Sequence, residues 1–255
     1  MNTIIAILCI IINSSFTKDT NYRIALFIIE HLYEVPSISM NEIAERCFTS
    51  VSTVKKFLKT IGHNSYSTFK FQVENSISVR TKQMQQRHQN MNSDYALRMI
   101  QTIYPDLDRD TLLNTIHAIN REIQQCDRVV ILGASYPNAL AVNYQEDMIV
   151  MKKTVIIEPV IPRILNDFQN IRENDFIILT TISGSFFDIY PMRKHELQKF
   201  KHLAIITQEN TDLNSFASAI PVRLPVSKDN EKYNYFLMSI YTLLKEDYYQ
   251  MSIQN

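Results

Sequence analysis

The chain contains only three glycines among 255 residues: Gly62, Gly133 and Gly184. Glycine accepts positive φ angles and lets the backbone approach a ligand closely, so it is the usual residue of sharp turns. Average proteins contain roughly 7% glycine, well above the usage here. Gly62 follows a segment with helical spacing, whereas the other two each follow a short apolar run rich in β-branched residues. We therefore expect one glycine to end a helix and two to end strands.

Charge is unevenly distributed along the chain although the formal net charge is zero. Residues 17–88 carry ten basic and six acidic residues, and residues 89–255 carry sixteen basic and twenty acidic residues. Within 49–88, seven basic residues accompany a single acid, Glu74. A basic segment joined to a mildly acidic body is typical of a DNA-binding domain attached to a regulatory domain. A chance fluctuation is the alternative explanation of so small an imbalance.

The cysteines and the apolar N-terminus indicate a cytoplasmic protein with no membrane partner. The number of cysteines is odd, they are widely spaced, and none belongs to a C-x-x-C motif: Cys9, Cys47 and Cys126. This pattern favours reduced thiols, and we predict neither a metal site nor a cofactor. The apolar run over 4–12 is shorter than the roughly 20 residues that span a bilayer. It also lacks preceding basic residues, so we interpret it as a buried helix, with a signal peptide as the alternative.

Two helices are predicted in the first third of the chain. Apolar residues over 22–32 follow the i, i+3, i+4, i+7 spacing of one helix face, and Pro36 ends this segment. Ser39 and Glu42 then have the spacing of a capping box, in which each side chain satisfies a free backbone N–H of the other residue. They predict a second, short helix that ends near Cys47.

A third helix is predicted over 51–61, with Ser50 as its N-cap and Gly62 at its C-terminal end. A short helix, a tight turn and a capped helix together make a helix-turn-helix, whose second helix lies in the major groove of DNA. Hydroxyl and lysine side chains on that helix contact base edges and phosphates. A plain three-helix bundle with a solvated lysine face is the alternative. The predicted DNA-binding residues are Ser50, Ser52, Thr53, Lys55, Lys56 and Lys59.

The stretch 21–70 resembles the N-terminal domain of RpiR-type transcriptional regulators. The recognition segment of that family reads approximately S-x-A-T-V-x-R-F-x-x-x-L-G-[FY], and residues 50–63 here read SVSTVKKFLKTIGH. Lys56 stands where the family has an arginine, which loses bidentate geometry. The resemblance implies a double-stranded DNA operator bound by a homodimer or tetramer. The directly matching residues are Ser50, Thr53, Val54, Phe57 and Gly62.

The remaining chain divides into a polar connector and an α/β region. Residues 76–92 lack glycine and proline and predict a helical connector, so we place a helix-turn-helix domain at 1–75, a helical linker at 76–105 and a second domain at 106–255. In the second domain, β-rich runs alternate with helical ones, which predicts a parallel sheet flanked by helices. The predicted strands are 128–132, 154–157, 175–181, 202–207 and 221–224. The predicted helices are 110–125, 137–150, 161–170, 188–200, 213–218 and 231–249.

Two predicted strands are followed by glycine turns rich in hydroxyl groups. These turns read GASYPN over 133–138 and TTISGS over 180–185. Ligands of parallel α/β folds bind at the carboxyl ends of strands, where free N–H groups and hydroxyls suit an anion. Tight strand–helix turns without a ligand are the alternative. The predicted ligand-binding residues are Gly133, Ser135, Thr181, Ser183, Gly184 and Ser185.

Residues 106–250 resemble the SIS (sugar isomerase) domain, a sugar-phosphate-binding fold that forms the second half of RpiR-type regulators. The family's loops read approximately G-x-G-x-S-x-x-x-A and S-x-S-G-x-T. Here Ile131 replaces the first glycine and Phe186 the last threonine, which removes a hydroxyl expected at the phosphate. The resemblance implies a sugar-phosphate effector. The predicted fold class is thus an all-α helix-turn-helix domain followed by an α/β SIS domain.

No motif places a catalytic base beside a sugar carbon. The candidates Glu146, His195 and His202 lie outside any motif that ties them to a reacting atom, so we predict no catalytic residue. The expected function is a DNA-binding regulator of carbohydrate metabolism whose operator binding responds to a phosphorylated sugar or amino sugar. Two alternatives stay open: a sugar-phosphate isomerase with an appended helical domain, and a regulator whose degenerate SIS domain only dimerises.

Overall fold

The computed structural model describes residues 4–90, 92–159, 171–189 and 191–254. Contacts divide the chain into two compact units, Met1–Gln86 and Arg87–Asn255. The first unit is helical, and the second contains a parallel sheet with helices on both faces. The predicted order, an all-α domain followed by an α/β domain with a parallel sheet flanked by helices, is therefore confirmed. The predicted division into 1–75, 76–105 and 106–255 stays a prediction.

Helices build the whole of unit 1, and local capping fixes where they begin. The capping box predicted from sequence is confirmed, because Ser39 N donates to Glu42 Oε2 (2.7 Å) and Glu42 N donates to Ser39 Oγ (3.2 Å). Ser50 caps its helix as predicted, accepting from Thr53 N at 3.1 Å. The helices are α1 (Ile4–Ser14), α2 (Thr20–Glu30), α3 (Met40–Arg46), α4 (Val51–Thr60) and α5 (Tyr66–Asn90), whose last residues belong to unit 2.

The apolar N-terminal run forms the predicted buried helix, α1. Its first turn is joined to α5, because Ile4 N donates to Ser76 Oγ at 3.0 Å. The stripe predicted on the third helix also lies inward, since Val54, Phe57 and Leu58 of α4 are all buried. Each such side chain contributes about 1.5–3 kcal/mol when it leaves water, so apolar burial holds these short helices in place.

The end of α4 is closed by Gly62, as predicted. Gly62 has a φ of +89°, and a Cβ there would meet no atom within 4 Å. Gly62 N donates to Lys59 O (3.0 Å) and His63 N donates to Leu58 O (2.8 Å). These two bonds form a Schellman motif, whose left-handed residue is usually glycine.

Unit 2 is built on a five-stranded sheet in the order β2-β1-β3-β4-β5, in which all neighbouring strands are parallel. Every predicted strand is confirmed to within two residues at each end. The strands are β1 (Arg128–Gly133), β2 (Thr154–Pro159), β3 (Asp175–Thr180), β4 (Leu203–Gln208) and β5 (Ile220–Leu224). The helices are α6 (Ser93–Ile103), α7 (Arg109–Gln125), α8 (Ser135–Leu140), α9 (Val142–Val150), α10 (Ser185–Ile189), α11 (Pro191–Leu197) and α12 (Asn230–Gln254).

Some helix predictions in unit 2 need correction. The predicted helix 213–218 is wrong, because this segment forms turns. Asp212 Oδ1 accepts from Asn214 N at 2.9 Å, and such short-range bonds compete with helix formation. The predicted helix 137–150 is two helices, α8 and α9, which meet at Ala141. The predicted helix 188–200 is replaced by α10 and α11, and the predicted helix 161–170 lies outside the described residues.

Apolar cores cover both faces of the sheet. Val129 and Ile131 of β1 lie in one core together with residues of α7 and α12. Val130 and Leu132 lie in the opposite core with Phe187 and other aromatic residues. Burial on both faces explains why the strands read as continuous apolar runs in the sequence.

A buried ion pair fixes the register of β1 against β3 at the amino edge of the sheet. Arg128 Nε and Nη2 donate to the two carboxylate oxygens of Asp175 at 2.7 and 2.8 Å, and both side chains are almost fully buried. In the same register, Gly133 lies opposite Thr180 at the carboxyl edge. The two glycine turns therefore begin side by side.

The three cysteines are buried and form no disulfide. Burial raises the pKa values of Cys47 and Cys126 to about 11, so neither thiol is ionised at neutral pH. No helix among the described residues is long and apolar enough to cross a membrane. Within the same residues, no group of three or more His, Cys, Asp or Glu side chains is placed to hold a metal ion.

Candidate functional site

The α4 helix has one buried apolar face and one polar face that points outward. Val54, Phe57 and Leu58 hold the opposite face in the core, so the remaining residues point outward. The first turn of α4 contains no acidic residue. All of the predicted DNA-binding residues lie on α4 or at its N-cap, and every one except the half-buried Thr53 is exposed: Ser50, Ser52, Thr53, Lys55, Lys56 and Lys59. Their role in DNA binding stays a prediction.

The hydroxyl groups at the start of α4 form a small network. Besides accepting from Thr53 N, Ser50 Oγ lies 2.7 Å from Ser52 Oγ and 2.9 Å from Thr53 Oγ1. Ser50 therefore acts mainly as a helix cap, and the hydroxyl groups of Ser52 and Thr53 are hydrogen-bonded to it. The start of α5 repeats this arrangement, because Ser65 caps Thr68 N at 3.1 Å and lies 2.6 Å from Thr68 Oγ1.

The turn before α4 contains an aromatic residue that the sequence analysis did not single out. Phe48 has a φ of +52°, and 89% of its surface is exposed. Phe48 N donates to Glu45 O (3.0 Å) and Thr49 N donates to Ala44 O (2.9 Å), which is the Schellman pattern seen at Gly62. A residue other than glycine in this conformation lowers the folding stability by about 1–2 kcal/mol. No signal in the sequence reveals the strain, because the conformation depends on how α3 ends.

Charged neighbours of α4 are partly engaged elsewhere. Arg46, at the end of α3, donates to Glu34 Oε2 at 3.1 Å. Hydrogen bonds from His31 and Arg46 lower the pKa of Glu34. Burial lowers the pKa of His63, which packs against Phe69 after the end of α4. These residues support the domain, and the lysines of α4 remain the exposed positive charges of the helix.

In unit 2, the two predicted anion-binding turns meet at one point of the sheet. The strand order β2-β1-β3-β4-β5 places its switch point between β1 and β3, and ligands of such sheets bind outside the carboxyl ends there. Gly133 ends β1 and Thr180 ends β3, and the two are paired in register. The structure thus brings together two loops that lie about fifty residues apart in the sequence.

Asn138 ties the first turn to the sheet. Asn138 Nδ2 donates to Gly133 O and to Glu158 O, both at 3.1 Å, so one buried amide joins the ends of β1 and β2. A Cβ at Gly133 would lie 3.0 Å from Asn138 Oδ1 and 3.4 Å from Thr180 O. A side chain at position 133 would therefore require Asn138 Oδ1 or the strand end at Thr180 to shift by a few tenths of an ångström. The predicted Ser135 begins α8, and its side chain lies outside the described residues.

The second turn is held by the loop that follows β4. Gly184 has a φ of +73°, and a Cβ there would lie 2.8 Å from Thr211 Cγ2. Thr211 is itself fixed, because Thr207 Oγ1 donates to Thr211 Oγ1 (2.8 Å) and Arg223 Nη1 donates to Thr211 O (2.7 Å). Both the backbone angle and the close contact require glycine at this position.

The hydroxyl groups of the second turn differ in availability. Thr181 is buried, and its Oγ1 accepts from Phe186 N at 3.3 Å, so it supports the turn from within. Ser183 and Ser185 are exposed, and Ser183 Oγ donates to Ser185 Oγ at 2.9 Å. Phe186 is buried in the core beside Phe187, so its ring does not occupy the loop surface. The ligand-binding role of these residues stays a prediction.

The candidates considered as catalytic bases lie on different parts of unit 2. His202 precedes β4, at the amino edge of the sheet, where it pairs with Glu122 Oε2 at 3.2 Å. This edge is opposite to the glycine turns. His195 is exposed on α11 and contacts Gln198, and Glu146 lies on α9. Burial raises the pKa of Tyr241 to about 12, so this phenol is protonated at neutral pH.

Two clefts of unit 2 lie away from the glycine turns. One, of about 450 Å³, is lined by residues of α6, α7 and α12, and another, of about 250 Å³, lies between α6 and α12. Neither is lined by residues of the turns. We assign the candidate ligand site to the turns, because they carry the hydroxyls and lie at the switch point.

Comparison with protein families identifies the first unit. The family model described as "Helix-turn-helix domain, rpiR family" matches residues 10–80, which contain α2, α3 and α4 entirely. The chain carries an rpiR-family helix-turn-helix domain. The rpiR resemblance noted in the sequence is therefore confirmed for this part of the chain.

Two relatives of the chain are named as HTH-type transcriptional regulators. The protein of Caldanaerobacter subterraneus is 28% identical over 110 residues, which cover 43% of this chain and 38% of the relative. The protein encoded in the aarA 3′ region of Providencia stuartii is 21% identical over 207 residues, which cover 76% of this chain and 71% of the relative. The second alignment extends beyond the rpiR-family domain into unit 2.

Two solved structures are similar to the chain at low identity. The Vibrio vulnificus NanR protein complexed with ManNAc-6P is 16% identical, with 94% of this chain and 91% of that chain covered and a TM-score of 0.43. A Methanococcus jannaschii protein, whose structure is described as inferring a 3-hexulose-6-phosphate isomerase function, is 14% identical. In that case, 64% of this chain and 88% of that chain are covered, with a TM-score of 0.42.

Proposed function

We propose that this protein is a cytoplasmic transcriptional regulator that binds an operator as a homodimer or tetramer and responds to a phosphorylated sugar or amino sugar. The observation that carries the proposal is the rpiR-family helix-turn-helix domain, whose α4 helix presents lysines on an exposed face without an acid in its first turn. The two relatives named as regulators support the same function.

In the proposed complex, α4 lies in the major groove. Lys55, Lys56 and Lys59 neutralise phosphates, and the exposed Ser52 contacts bases or backbone near the start of the helix. Ser50 acts through its cap, which fixes the entry of the helix into the groove. Phosphate contacts make the affinity depend on salt, with a slope of about −0.9 per phosphate neutralised.

The DNA-binding part is tested by selecting an operator from random duplex DNA and measuring Kd by fluorescence anisotropy at several salt concentrations. We expect Lys55→Ala and Lys56→Ala each to weaken binding and to reduce the salt slope by about one. Lys201→Ala, an exposed lysine of unit 2, is the matched control. If the α4 variants bind with the affinity and slope of Lys201→Ala, α4 is not the DNA-binding helix.

The effector site is proposed at the paired glycine turns. The exposed Ser183 and Ser185 hydroxyls and the backbone N–H groups of the residues directly after Gly133 and Gly184 would receive the phosphate, because the two turns begin side by side at the β1/β3 switch point. Thr181 would keep the turn in shape rather than contact the ligand.

A thermal-shift panel tests this site. The probes are hexose, pentose and amino-sugar phosphates, with ManNAc-6P among them, together with their unphosphorylated sugars and inorganic phosphate. We expect at least one sugar phosphate to raise the Tm of the wild type and to lose most of this effect in Ser183→Ala. Ser218→Ala, an exposed serine elsewhere in unit 2, is the control. If no probe raises the Tm, unit 2 serves only in assembly.

The same compounds separate a regulator from an isomerase. We propose that the protein is not an enzyme, since His202 lies at the edge of the sheet opposite to the turns. Incubation of each sugar phosphate with the protein, followed by NMR of the sugar carbons, detects conversion of an aldose to a ketose. Turnover that is lost in Ser183→Ala would replace the regulator proposal for unit 2 by the isomerase alternative.

We assign the dimer contact to an apolar surface of unit 2 formed by α6 and α12. Tyr95, Met99, Tyr235 and Met238 all expose more than a third of their surface around the small cleft between these helices. An isologous contact here would match the two-fold symmetry of an operator. Analytical ultracentrifugation should show a dimer in the wild type and a shift to monomer in Met99→Glu and Met238→Glu.

A buried charge cluster offers a route from effector to DNA. The α8–α9 segment begins at the first glycine turn, and Asp147 on α9 receives two bonds from Arg87 Nη2 at 2.6 and 2.7 Å. Arg87 is near the end of α5, the helix that begins in unit 1. We expect Arg87→Gln to bind both DNA and effector while losing most of the coupling between them, which titrations of DNA affinity with effector measure.

A further inference from the structure

Phe48 differs in two ways from the other residues of the turn between α3 and α4. It holds a left-handed backbone angle of +52° without being glycine, and it exposes 89% of its surface although it is a large apolar residue. A ring so exposed gives the fold little packing to offset its strained backbone. In the same unit, Gly62 occupies the equivalent position of the same motif without strain.

The position of Phe48 relative to α4 suggests what the ring does. It lies two residues before the N-cap Ser50, and therefore beside the first turn of the helix that the proposed function places in the major groove. The chain that follows Phe48 is basic, since residues 49–73 contain four lysines and no acidic residue, although the exposed Glu42 and Glu45 of α3 precede it. A polyanion is thus the partner whose charge complements this surface.

We propose that Phe48 is a DNA-contacting residue whose ring packs against deoxyribose and thymine methyl groups at the edge of the groove. This inference rests on the proposed function and extends it from the lysines of α4 to an apolar contact. Apolar contact with thymine methyls is an established mode of base recognition, and phenylalanine serves in it. Because the contact is uncharged, it adds affinity without adding to the salt slope.

The proposal explains why the strain is retained. Strained residues other than glycine occur preferentially at functional sites, where the cost in folding free energy is offset by a gain in binding. Replacing Phe48 by glycine should therefore move two quantities in opposite directions. Folding stability should rise, because the left-handed angle is relaxed, and operator affinity should fall, because the ring is lost.

The test uses full-length Phe48→Gly, with operator affinity measured over a range of salt and stability measured by urea unfolding. We expect a raised unfolding midpoint, operator binding weakened about tenfold, and an unchanged salt slope; tenfold is on the order of one buried apolar side chain. Phe48→Leu should retain part of the affinity. Phe71→Ala, which removes another exposed phenylalanine of unit 1, is the matched control and should bind as the wild type.

Three outcomes would overturn the inference. A Phe48→Gly protein that binds the operator as tightly as the wild type, while Lys55→Ala binds weakly, leaves the proposed function standing and removes Phe48 from the interface. A lower unfolding midpoint in Phe48→Gly assigns the ring a structural role. If the wild type selects no DNA at all, the proposed function fails and the inference fails with it.

Discussion

The α4 helix of unit 1 and the paired glycine turns of unit 2 position their polar groups by different means. On α4, all of the candidate residues lie within ten positions of the chain, and helix geometry with one cap, Ser50, arranges them. At the turns, Gly133 and Gly184 are brought together by strand register. Gly133 is packed against Asn138 of its own turn and against Thr180 of β3, and Gly184 is packed against Thr211 of the loop after β4.

This difference has a consequence for how substitutions act. A change of one lysine on the exposed face of α4 leaves the backbone and the caps of the helix in place, whereas Ser50, Ser52 and Thr53 share one hydrogen-bond network and should couple. A change at the turns disturbs Asn138, Thr211 or the β1–β3 register, on which several groups depend at once. Effects in unit 2 should therefore be larger and should couple to one another.

The largest effect is expected at the ion pair that fixes the β1–β3 register. Asp175→Ala leaves the Arg128 guanidinium buried without its carboxylate, which costs about 3–5 kcal/mol of unfolding free energy. Urea denaturation measures this loss. The double variant Arg128→Met/Asp175→Leu should recover part of it, because no buried charge remains, while Arg172 N still loses the Asp175 oxygen that accepts its hydrogen bond. A double variant as unstable as Asp175→Ala would show that the unpaired charge of Arg128 is not the cause of the instability.

A somewhat smaller loss is expected for Gly184→Ala. The left-handed angle of +73° and the 2.8 Å approach to Thr211 Cγ2 together cost about 2–4 kcal/mol. Thr211→Ser removes Cγ2 and keeps the hydroxyl that Thr207 contacts. In a double-mutant cycle by urea unfolding, Gly184→Ala/Thr211→Ser should therefore be less destabilised than the sum of the single variants. Simple additivity would place the steric conflict elsewhere.

Gly62→Ala is the local counterpart of this substitution. The backbone angle is similar, at +89°, yet a Cβ at Gly62 would meet no atom within 4 Å. Only the conformational cost of about 1 kcal/mol remains. Thermal or urea unfolding of the two alanine variants compares them directly. Equal losses of unfolding free energy in Gly62→Ala and Gly184→Ala would show that the contact with Thr211 adds nothing. The distinction between the locally built α4 and the assembled turns would then not hold.

The smallest effect concerns pH and the cap of α3. A hydrogen bond from Ser39 N lowers the pKa of Glu42 below 4.5, so the folded state prefers the charged form. This contribution is present above about pH 4.5 and is lost as pH falls through the lowered value. Wild type should exceed Glu42→Gln in stability at neutral pH, and the gap should close on acidification. Glu45→Gln, on the same helix, is the control; a gap independent of pH would contradict the assignment.

Features set by nearby residues could be predicted from the sequence. The capping box of Ser39 and Glu42, the cap at Ser50 and the glycine end at Gly62 each involve residues within a few positions, so their patterns are visible in the chain itself. The strands could be predicted for a similar reason. Strands that are buried on both faces appear in the sequence as continuous apolar runs. The helix at 213–218 failed because the Asp212 side chain forms a competing turn.

Features set by distant residues could not be predicted. The distant partners of the glycines, Thr180 for Gly133 and Thr211 for Gly184, follow from tertiary packing and have no motif of their own. Phe186 was predicted to remove a hydroxyl group expected at the phosphate, but the burial of its ring in the core beside Phe187 depends on tertiary packing and could not be predicted. The left-handed backbone angle of Phe48 could not be predicted, since aromatic residues rarely adopt it and it arises here where α3 ends.

The buried cysteines give each unit its own chemical reporter. Cys9 and Cys47 lie in unit 1 and Cys126 lies in unit 2, all shielded from solvent. A thiol reagent reaches such a group only when the structure around it opens, because burial also keeps Cys47 and Cys126 protonated. The time course of alkylation, resolved by mass spectrometry of the three peptides, would thus record the opening of the two units separately within one unmodified protein.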